Sequence, residues 1–506
     1  MKIKKILRKY SCLIWILIFA LFLRLYFFVG LNWSDDIGYV NDAYRILKNE
    51  FVFTKYPPTL RPMMIYPLSF TFLVLGISNY TATLYPLLAS LGSIILIFYL
   101  GKEFFDYETG LIAAFLLSFF PLNVIYSTWI MPDLIIAFFM GLSVYFFLKS
   151  NKKRNLYFLT SGLILGIAYL VKETAIILFF FYALVALYEF LKKKKIDLSY
   201  SYVLIGFLII FVLEGLFLFF NTGDFLFRYN TLSWYFGTEC AQQNHGLNFD
   251  LKYYPLGLFN LNPDLTFNQN KYLVNYGLFY YFVVLAIIFM ILKKKKRSYI
   301  FIFWFLVVFL YLEFGSSSIT HYSPLHKLYR HLTVITIPAL LTLSYFLSLN
   351  LNSKKPYVRL SSILMIIFLL LTSIYYIYYR HFYFYAASYD MRALYSYFES
   401  FDGFQNIIYS DGGTVGHLKF YSGFRWDDIL ISIGKYTNCS EIEDSYVIIN
   451  ATRGWIEYEP MIRDFPECFK KIPEGWNLVK EIKGPSLDVY SRFDPKVFYA
   501  SYTIKK

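Results

Sequence analysis

Charged residues and cysteines are scarce in this sequence. Of its 506 residues, 16% are charged, whereas 58% are hydrophobic and 22% are aromatic. A soluble protein cannot bury so large an apolar fraction, so the composition excludes that class and indicates that lipid surrounds most of the chain. The four cysteines match no known disulfide framework, and both a Cys439–Cys468 bridge and free thiols remain open.

Nucleic-acid-binding motifs, internal repeats and low-complexity tracts are also absent. The net charge of +14 would suit a nucleic-acid partner, but the basic residues occur in short runs between apolar stretches. These runs are Lys2–Lys9, Lys152–Arg154, Lys192–Lys195, Lys293–Arg297 and Lys354–Arg359. Such a distribution is typical of cytoplasmic loops and attracts anionic headgroups. We therefore expect membrane lipids, and no nucleic acid, as partners.

Apolar runs of sufficient length predict about eleven transmembrane helices. The first run, Ser11 to Gly30, carries Arg24 and lacks a small-x-small cleavage site, so it predicts an anchor rather than a signal peptide. The predicted spans are 11–30, 79–101, 109–127, 131–149, 156–171, 174–191, 200–220, 272–292, 298–315, 329–350 and 358–379. With a cytoplasmic N-terminus, every strong basic run lies inside.

This topology places the unusual polar residues on the opposite, extracytoplasmic side. They fall in segment 31–78, the links before Asp133 and at Lys172–Glu173, segments 221–271 and 316–328, and the part after residue 380. Loops that converge on one face of a rigid scaffold commonly form active sites. We expect a transmembrane domain over residues 1–380 and a soluble α/β extracytoplasmic domain over residues 381–506.

Two adjacent carboxylates, Asp35 and Asp36, follow the first span. Such neighbours repel one another and are costly to desolvate, so their position at the mouth of a membrane bundle needs a reason. One carboxylate could act as general base on an acceptor hydroxyl while the other orients the acceptor or a cation. Helix capping is the structural alternative, but it accounts for one aspartate and not two. The pair therefore favours catalysis.

Other external positions carry charges with two explanations each. Arg61, in a Pro-rich segment that suits a juxtamembrane turn, could bind phosphate oxygens or extend to the headgroup level. Asp133 begins the fourth span, where the helix dipole favours an acid, but it could also face the acidic pair. Lys172 and Glu173 separate two apolar stretches, and they either pair with each other or bind a lipid phosphate.

The stretch His321–His331 is the most polar external part of the membrane region. Its three histidines are spaced five residues apart, which does not place them on one helical face, and no cysteine or acid accompanies them. We therefore expect no histidine metal site. Lys327 and Arg330 better suit an anionic headgroup or a pyrophosphate-like charge. The sequence indicates no cofactor and leaves open whether a divalent cation assists the carboxylates.

Three stretches resemble the GT-C superfamily of integral-membrane glycosyltransferases, in the branch of dolichyl-phosphate-mannose–protein mannosyltransferases and lipid A aminoarabinose transferases. The first is the acidic pair. The second, Arg61-Pro62-Met63-Met64-Ile65-Tyr66-Pro67, is similar to the family's basic-Pro-Pro-Leu-x-Tyr element, with Met63 in place of the second proline. The third runs from Leu84 to Ile136. Later elements at Gly162–Lys172 and Tyr329–Pro338 extend the likeness.

The resemblance implies a polytopic α-helical GT-C fold and an inverting transfer of a sugar. The donor would be a polyprenyl- or dolichyl-phosphate-linked sugar, and the acceptor a protein, a lipid or a glycan. One of Asp35 and Asp36 would be the base, with the first favoured by position, and Arg61 would contact the donor phosphate. The candidate substrate-binding residues are Arg61, Tyr66, Asp133, Lys172, Glu173, Lys327 and Arg330.

Alternative functions differ in where charges should lie. Asp411-Gly412-Gly413 lacks the glycine fingerprint of a nucleotide-binding domain, which favours a lipid-linked donor over a nucleotide sugar. A transporter or flippase of lipid-linked glycans should carry charges near the middle of several spans. Here the charges concentrate at external helix ends, although Arg24 and Glu214 lie within apolar runs. A polymerase of surface polysaccharide and a scaffold that binds partners through its C-terminal domain also remain open.

Overall fold

The computed structural model describes most of the chain, and helices predominate in it. The described residues are 2–32, 35–149, 154–195, 197–237, 252–259, 276–316, 322, 324–325, 327–401, 405–433, 442–449, 472–473, 475–482 and 496–500. The helices are α1 (Lys2–Tyr26), α2 (Asp35–Leu47), α3 (Pro62–Leu75), α4 (Asn79–Ala82), α5 (Leu84–Phe104), α6 (Tyr107–Ser118), α7 (Pro121–Tyr126), α8 (Pro132–Leu148), α9 (Arg154–Val171), α10 (Leu178–Lys193), α11 (Ser201–Thr222), α12 (Phe227–Gly237), α13 (Tyr253–Leu258), α14 (Phe279–Leu292), α15 (Tyr299–Phe314), α16 (Thr333–Leu351), α17 (Pro356–Ala387), α18 (Tyr389–Glu399) and α19 (Gly412–Tyr421). Short 3₁₀ segments precede several of them, at Pro57–Leu60, Glu173–Ile177, Leu198–Tyr200, Lys296–Ser298 and Tyr329–Leu332.

These helices confirm the predicted polytopic membrane architecture. In the described part of the chain, six segments are long and apolar enough to cross a membrane, namely Leu84–Phe104, Glu173–Lys193, Leu198–Thr222, Lys296–Phe314, Tyr329–Leu351 and Pro356–Ala387. Shorter apolar helices coincide with the other five predicted spans. A further apolar helix, Pro62–Leu75, lies inside segment 31–78, for which the sequence predicted no span.

Helix α3 was missed because its prolines suggested a turn. Pro62 occupies the first turn of the helix, where a residue without an N–H is tolerated because that N–H has no partner within the helix. Pro67 lies further inside, and apolar residues follow it to Leu75. Arg61 takes the N-cap position. The Pro-rich stretch thus begins a helix and holds Arg61 at the end of it.

Helices α9 and α11 approach closely at two glycines. A Cβ atom on Gly162 would lie 2.0 Å from the carbonyl oxygen of Val203, and one on Gly206 would lie 2.3 Å from that of Leu159. Small residues allow such backbone contact between membrane helices. Since α9 ends just before Lys172, this contact helps to position Lys172.

Replacing Gly162 by alanine should destabilise the bundle by about 1–3 kcal/mol, because the opposing backbone carbonyl cannot move aside easily. Gly92→Ala is the matched control, since its Cβ would meet the edge of the Phe138 ring at 2.9 Å and a ring can turn. Thermal unfolding in detergent should show the larger drop in midpoint for Gly162→Ala. Equal midpoints for the two variants would contradict this account of the α9–α11 contact.

A small sheet domain follows the membrane helices, as predicted. Its strands are β1 (Ile408–Ser410), β2 (Leu430–Ser432), β3 (Ser445–Ile449), β4 (Trp476–Glu481) and β5 (Lys496–Ala500). They are arranged in the order β2-β1-β3-β5-β4, with β1 parallel to β2 and β3, and β5 antiparallel to β3 and β4. Helix α19 begins directly after β1, where the Asp411 side chain accepts a hydrogen bond from the Thr414 N–H at 3.0 Å.

The expected domain boundary at residue 380 falls inside helix α17, which continues to Ala387. We propose that the boundary lies at Ser388 instead, between α17 and α18. Cys439 and Cys468, the candidates for a disulfide, lie outside the described residues. Cys12 is a free, exposed thiol.

Candidate active site

The two adjacent aspartates have different surroundings. Asp36 is fully buried, and its Oδ2 accepts hydrogen bonds from the Asn32 N–H at 2.7 Å and from the Trp129 indole N–H at 3.0 Å. The Asp35 side chain keeps 31% of its surface exposed. Its nearest described donor is the Tyr56 hydroxyl, at 3.4 Å. Asp36 is therefore held by the fold, whereas Asp35 remains accessible.

Arg61 lies beside Asp35 with few close partners. One guanidinium nitrogen, Nη1, donates to the Tyr39 hydroxyl and lies 3.7 Å from Asp35 Oδ2, while Nη2 lies 3.9 Å from Glu173 Oε1. Both ion-pair distances exceed hydrogen-bond length. Arg61 Nε is buried and has no hydrogen-bond partner in the described part of the chain. This guanidinium therefore has N–H groups to offer an anion.

Burial and neighbouring charges set the pKa values of Arg61 and Tyr39. Burial lowers the pKa of Arg61, but Tyr39, Glu173 and Asp35 raise it more, so it lies above its ordinary value. Burial raises the pKa of Tyr39; Arg61 lowers it, whereas Asp35 and Asp133 raise it. At neutral pH Arg61 is thus a cation and Tyr39 a neutral phenol. The effect of Asp133 also shows that this carboxylate lies within electrostatic reach of Tyr39.

Asp133 is the centre of a second charged group. Lys172 Nζ donates to its Oδ1 at 2.7 Å, and Arg330 Nε lies 3.3 Å from its Oδ2 without hydrogen-bond geometry. The Thr333 hydroxyl donates to the Asp133 carbonyl at 2.9 Å. Asp133 has 2% of its surface exposed. A single buried carboxylate therefore holds two cations, one of which, Arg330, retains an exposed edge.

Trp129 connects this group to the acidic pair. Its indole N–H donates to Asp36, and the Arg330 guanidinium lies 6.0 Å from the centre of its ring system. The distance suits a cation–π contact. Residues from the first turn of α2, the N-terminal end of α8 and the 3₁₀ segment before α16 thus meet at one site.

Glu173 continues the site toward α12. It lies between Arg61 and Arg228, whose Nη2 is 3.8 Å from its Oε2. Arg228 also donates to Glu214 Oε1 at 2.6 Å and stacks 4.4 Å over the Tyr169 ring. The sequence offered two alternatives for Lys172 and Glu173, mutual pairing or lipid phosphate. In the structure each pairs with a different residue.

Lys327 and Tyr66 lie apart from these groups in their described contacts. The Lys327 and Glu313 side chains are fully buried and joined by a hydrogen bond of 2.8 Å. Glu313 also accepts a hydrogen bond from the Tyr254 N–H at 3.2 Å. With its charge paired in this way, Lys327 does not enter our proposal as a phosphate ligand. Tyr66 is 38% exposed, and its ring lies 6.0 Å from that of Phe217.

In the described ranges, no three His, Cys, Asp or Glu side chains are grouped so that they could hold an ion. His321 and His326 lie outside those ranges. His331 Nδ1 lies 3.3 Å from the Tyr254 hydroxyl.

Sequence reasoning missed Tyr39, Trp129 and Arg228 as parts of the site. Tyr39 lies four residues after Asp35, one helical turn along α2, so helical spacing could have identified it. Arg228 is an isolated cation in a segment rich in uncharged residues, and this isolation could have identified it as a candidate for the site. The contact of Trp129 with Asp36 joins residues 93 positions apart, and no local pattern indicates it.

Asp42, also on α2, is a buried acid outside the site. It is 6% exposed, and its Oδ2 has no hydrogen-bond partner among the described residues. Burial raises its pKa to about 6, against a smaller opposing effect of Arg45. An unfolded aspartate has a pKa of about 3.9, so the unfolded chain loses its proton first as the pH rises. The free energy of unfolding therefore falls between about pH 4 and pH 6 and stays lower above.

The variant Asp42→Asn should remove this effect. We expect a gain in stability of about 2–3 kcal/mol at pH 7.5 and none at pH 4. The measurement is the midpoint of thermal unfolding in detergent at both pH values, with the exposed Glu50→Gln as the control. A gain of the same size at both pH values would show that burial of charge is not its cause.

Comparisons with known proteins agree with this architecture. Residues 57–214 match the sequence profile of the dolichyl-phosphate-mannose-protein mannosyltransferase family. ArnT from Cupriavidus metallidurans bound to undecaprenyl phosphate is similar in structure, with a TM-score of 0.58 at 12% identity over 98% of this chain and 99% of that one. Its apo state gives 0.55 at 10% identity, over 97% and 98%. No curated protein sequence matches the chain.

The oligosaccharyltransferase of Archaeoglobus fulgidus, solved with a tethered acceptor peptide, has a TM-score of 0.53 at 13% identity over 82% of this chain. This chain spans 64% of that protein, slightly less than two thirds. At such identities the structural likeness bears on the fold. The matched profile covers less than half of the chain, so the comparisons together support a multi-pass membrane protein whose fold is similar to those of ArnT and the oligosaccharyltransferase.

Proposed function

We propose that this protein transfers a sugar from a polyprenyl- or dolichyl-phosphate carrier to a hydroxyl group of a protein, lipid or glycan acceptor. One observation carries the proposal. The exposed carboxylate of Asp35 lies 3.7 Å from the Arg61 guanidinium, which keeps N–H groups for an anion. A base beside a phosphate-binding cation, at the end of a membrane bundle, suits a lipid-phosphate leaving group.

The reaction is a single displacement. The acceptor oxygen attacks the anomeric carbon from the side opposite the phosphate, and its proton passes to the Asp35 carboxylate. The bond between the anomeric carbon and the phosphate oxygen breaks, and the electron pair stays on that oxygen. The products are the glycoside with inverted configuration and the polyprenyl phosphate. Arg61 offsets the charge that develops on the phosphate.

Asp133, with its partners Lys172 and Arg330, forms a second set of charges that supports the same displacement. Asp133 fixes Lys172 at 2.7 Å and Arg330 at 3.3 Å, so these cations need little rearrangement when the donor binds. A site that is ordered in advance stabilises developing charge more effectively than mobile side chains do. We assign Arg330, with 17% of its side chain exposed, to the donor phosphate or sugar. Tyr66 and Glu173 remain candidate substrate-binding residues at the edges of this site.

The contacts of the mid-span charges argue against transport. Arg24 donates to Ser90 Oγ at 2.7 Å and to Asn123 Oδ1 at 2.6 Å, and it also binds two backbone carbonyls. Glu214 is paired with Arg228. Charges satisfied in this way hold helices together and leave little capacity for a moving ligand. The positions that a transporter should use are therefore structural here.

Orientation in the membrane follows from the basic runs. We place the N-terminus in the cytoplasm and the sheet domain in the extracytoplasmic compartment. Asp35, Arg61 and Arg330 would then face a donor that has already crossed the bilayer. Reporter tags at loops next to these residues test the assignment.

Reconstitution tests the function directly. Purified protein in phospholipid vesicles is incubated with polyprenyl-phosphate-linked mannose, glucose, N-acetylglucosamine or aminoarabinose, each labelled in the sugar, and with membranes from cells that lack this chain. We expect labelled acceptor and released polyprenyl phosphate in equal amounts from at least one donor. Movement of intact donor across the vesicle without release would instead support the flippase alternative.

A further inference from the structure

Helix α19 of the C-terminal domain buries a histidine against the loop before α2. His417 is fully buried, and its Nε2 lies 2.6 Å from the carbonyl oxygen of Asn32. Its Nδ1 lies 2.7 Å from the Gly413 carbonyl oxygen, one helical turn earlier. A carbonyl oxygen only accepts hydrogen bonds, so both ring nitrogens carry a proton and donate, Nδ1 to Gly413 and Nε2 to Asn32. The bond joins residues 385 positions apart, one from each domain.

Asn32 is held at three points by three different elements. Its N–H donates to Asp36 of α2 at 2.7 Å, its side-chain amide donates to the Phe384 carbonyl of α17 at 3.1 Å, and its own carbonyl accepts from His417. Asn32 is 4% exposed. Asp35 directly precedes Asp36 in the chain. The direction in which Asp35 points is therefore linked to this set of hydrogen bonds.

Other contacts hold the two domains together without His417. The Tyr44 and Phe424 rings stack with centroids 3.8 Å apart and planes within 6°. The Tyr421 hydroxyl also reaches the Leu31 carbonyl, at 3.3 Å. Since these contacts remain when His417 is replaced, the domain should stay docked. The histidine can thus be tested separately from the interface.

We propose that His417 is a positioning residue for the glycosyl transfer, through which the C-terminal domain fixes Asn32 and so aims Asp35 at the acceptor. This inference rests on the proposed function. A catalytic group needs a second layer of contacts to hold its orientation within a fraction of an ångström. The positioning role of His417 also gives the C-terminal domain a part in the reaction itself.

Two amide variants separate the hydrogen bond from the space that the ring fills. The amide of His417→Gln reaches the position of Nε2 and can donate to Asn32, whereas that of His417→Asn ends near Nδ1 and cannot. We expect kcat to fall about 10–100-fold in His417→Asn, because a small displacement of a reacting group has an effect of this size. His417→Gln should recover most of it. The KM for the labelled polyprenyl-phosphate sugar should stay within about twofold in both, since Arg61 is untouched.

The control is Lys419→Ala on the same helix, which loses a surface ion pair to Asp427 and should leave kcat unchanged. Equal kcat for the Gln and Asn variants, or a loss that follows thermal stability, would overturn the positioning role. So would a rise in KM alone. If the wild type releases polyprenyl phosphate from none of the donors, the proposed function fails and this inference falls with it. An active wild type with a fully active His417→Asn overturns the inference only.

Discussion

Replacing Asp35 by asparagine should lower kcat by about 10²–10⁴-fold, the usual contribution of a general base, with little change in stability. The amide has the same shape but cannot take the acceptor proton at neutral pH. Few contacts are lost, because Asp35 is partly exposed and its described partners, Arg61 at 3.7 Å and Tyr56 at 3.4 Å, are distant. Release of polyprenyl phosphate in vesicles measures the rate, and thermal unfolding measures the fold.

The neighbouring variant Asp36→Asn gives the matched contrast. The amide oxygen could still accept from Asn32 and Trp129, which both face Oδ2, but the NH2 group would replace Oδ1, which accepts from the Ile37 N–H at 3.0 Å. A buried donor left without a partner costs about 1–3 kcal/mol, so this variant should unfold at lower temperature. Turnover per folded molecule should fall less than in Asp35→Asn. If Asp35→Asn still transferred sugar at the wild-type rate, Asp35 could not be the base.

Replacing Arg61 by alanine should reduce kcat/KM for the lipid-linked donor by about 10–200-fold, the range expected for one charge-assisted hydrogen bond to phosphate. The KM for the donor should rise, because the guanidinium binds the phosphate in the ground state. The guanidinium also stabilises the charge that develops on the leaving oxygen, so its removal should lower kcat too. Initial rates over a series of donor concentrations separate the two effects.

Arg61→Lys serves as the control for charge. An ammonium keeps the charge but loses the fork of N–H groups, so it should recover part of the loss. Glu173 keeps Arg228 as a partner at 3.8 Å in both variants, which limits the structural damage. Donor saturation that is the same in wild type and Arg61→Ala would remove Arg61 from the phosphate site. The base assigned to Asp35 would be unaffected by that result.

Span positions were predictable because each depends on a local apolar run. Lipid requires a continuous apolar stretch, so the signal for helices such as α5 and α16 is contained within a single window. Helix α3 was missed because Pro62 and Pro67 suggest a turn when position within the helix is unknown. The small sheet domain was also predictable, from short apolar runs between prolines and glycines. Its strand order depends on contacts between distant segments.

The residues that form the site could mostly be predicted from the sequence, but their burial and contacts could be predicted only in part. Asp35, Arg61, Asp133 and Arg330 were selected because a charge near a membrane helix needs a reason. Which aspartate is exposed could not be predicted, since the burial of Asp36 depends on Trp129, 93 residues away. Tertiary contacts of this kind leave no periodicity in the sequence.

Charge pairing was the least predictable feature. Lys172 is adjacent to Glu173 in sequence, yet it pairs with Asp133 at 2.7 Å. The break between α9 and the 3₁₀ segment that follows it sends the two side chains in different directions. Adjacent charges in a chain are close along the backbone, but their side chains meet different neighbours in the bundle.

Helix α17 has 32 residues in one uninterrupted run. At 1.5 Å per residue such a helix is about 48 Å long, whereas the hydrocarbon layer is about 30 Å thick. The excess length extends beyond the hydrocarbon layer toward the sheet domain. Because it is one rigid helix, it restricts where that domain can lie relative to the membrane helices. A single residue inserted into α17 would rotate the sheet domain about the helix axis by about 100°. The number of residues in α17 therefore determines which side of the sheet domain faces the first turn of α2.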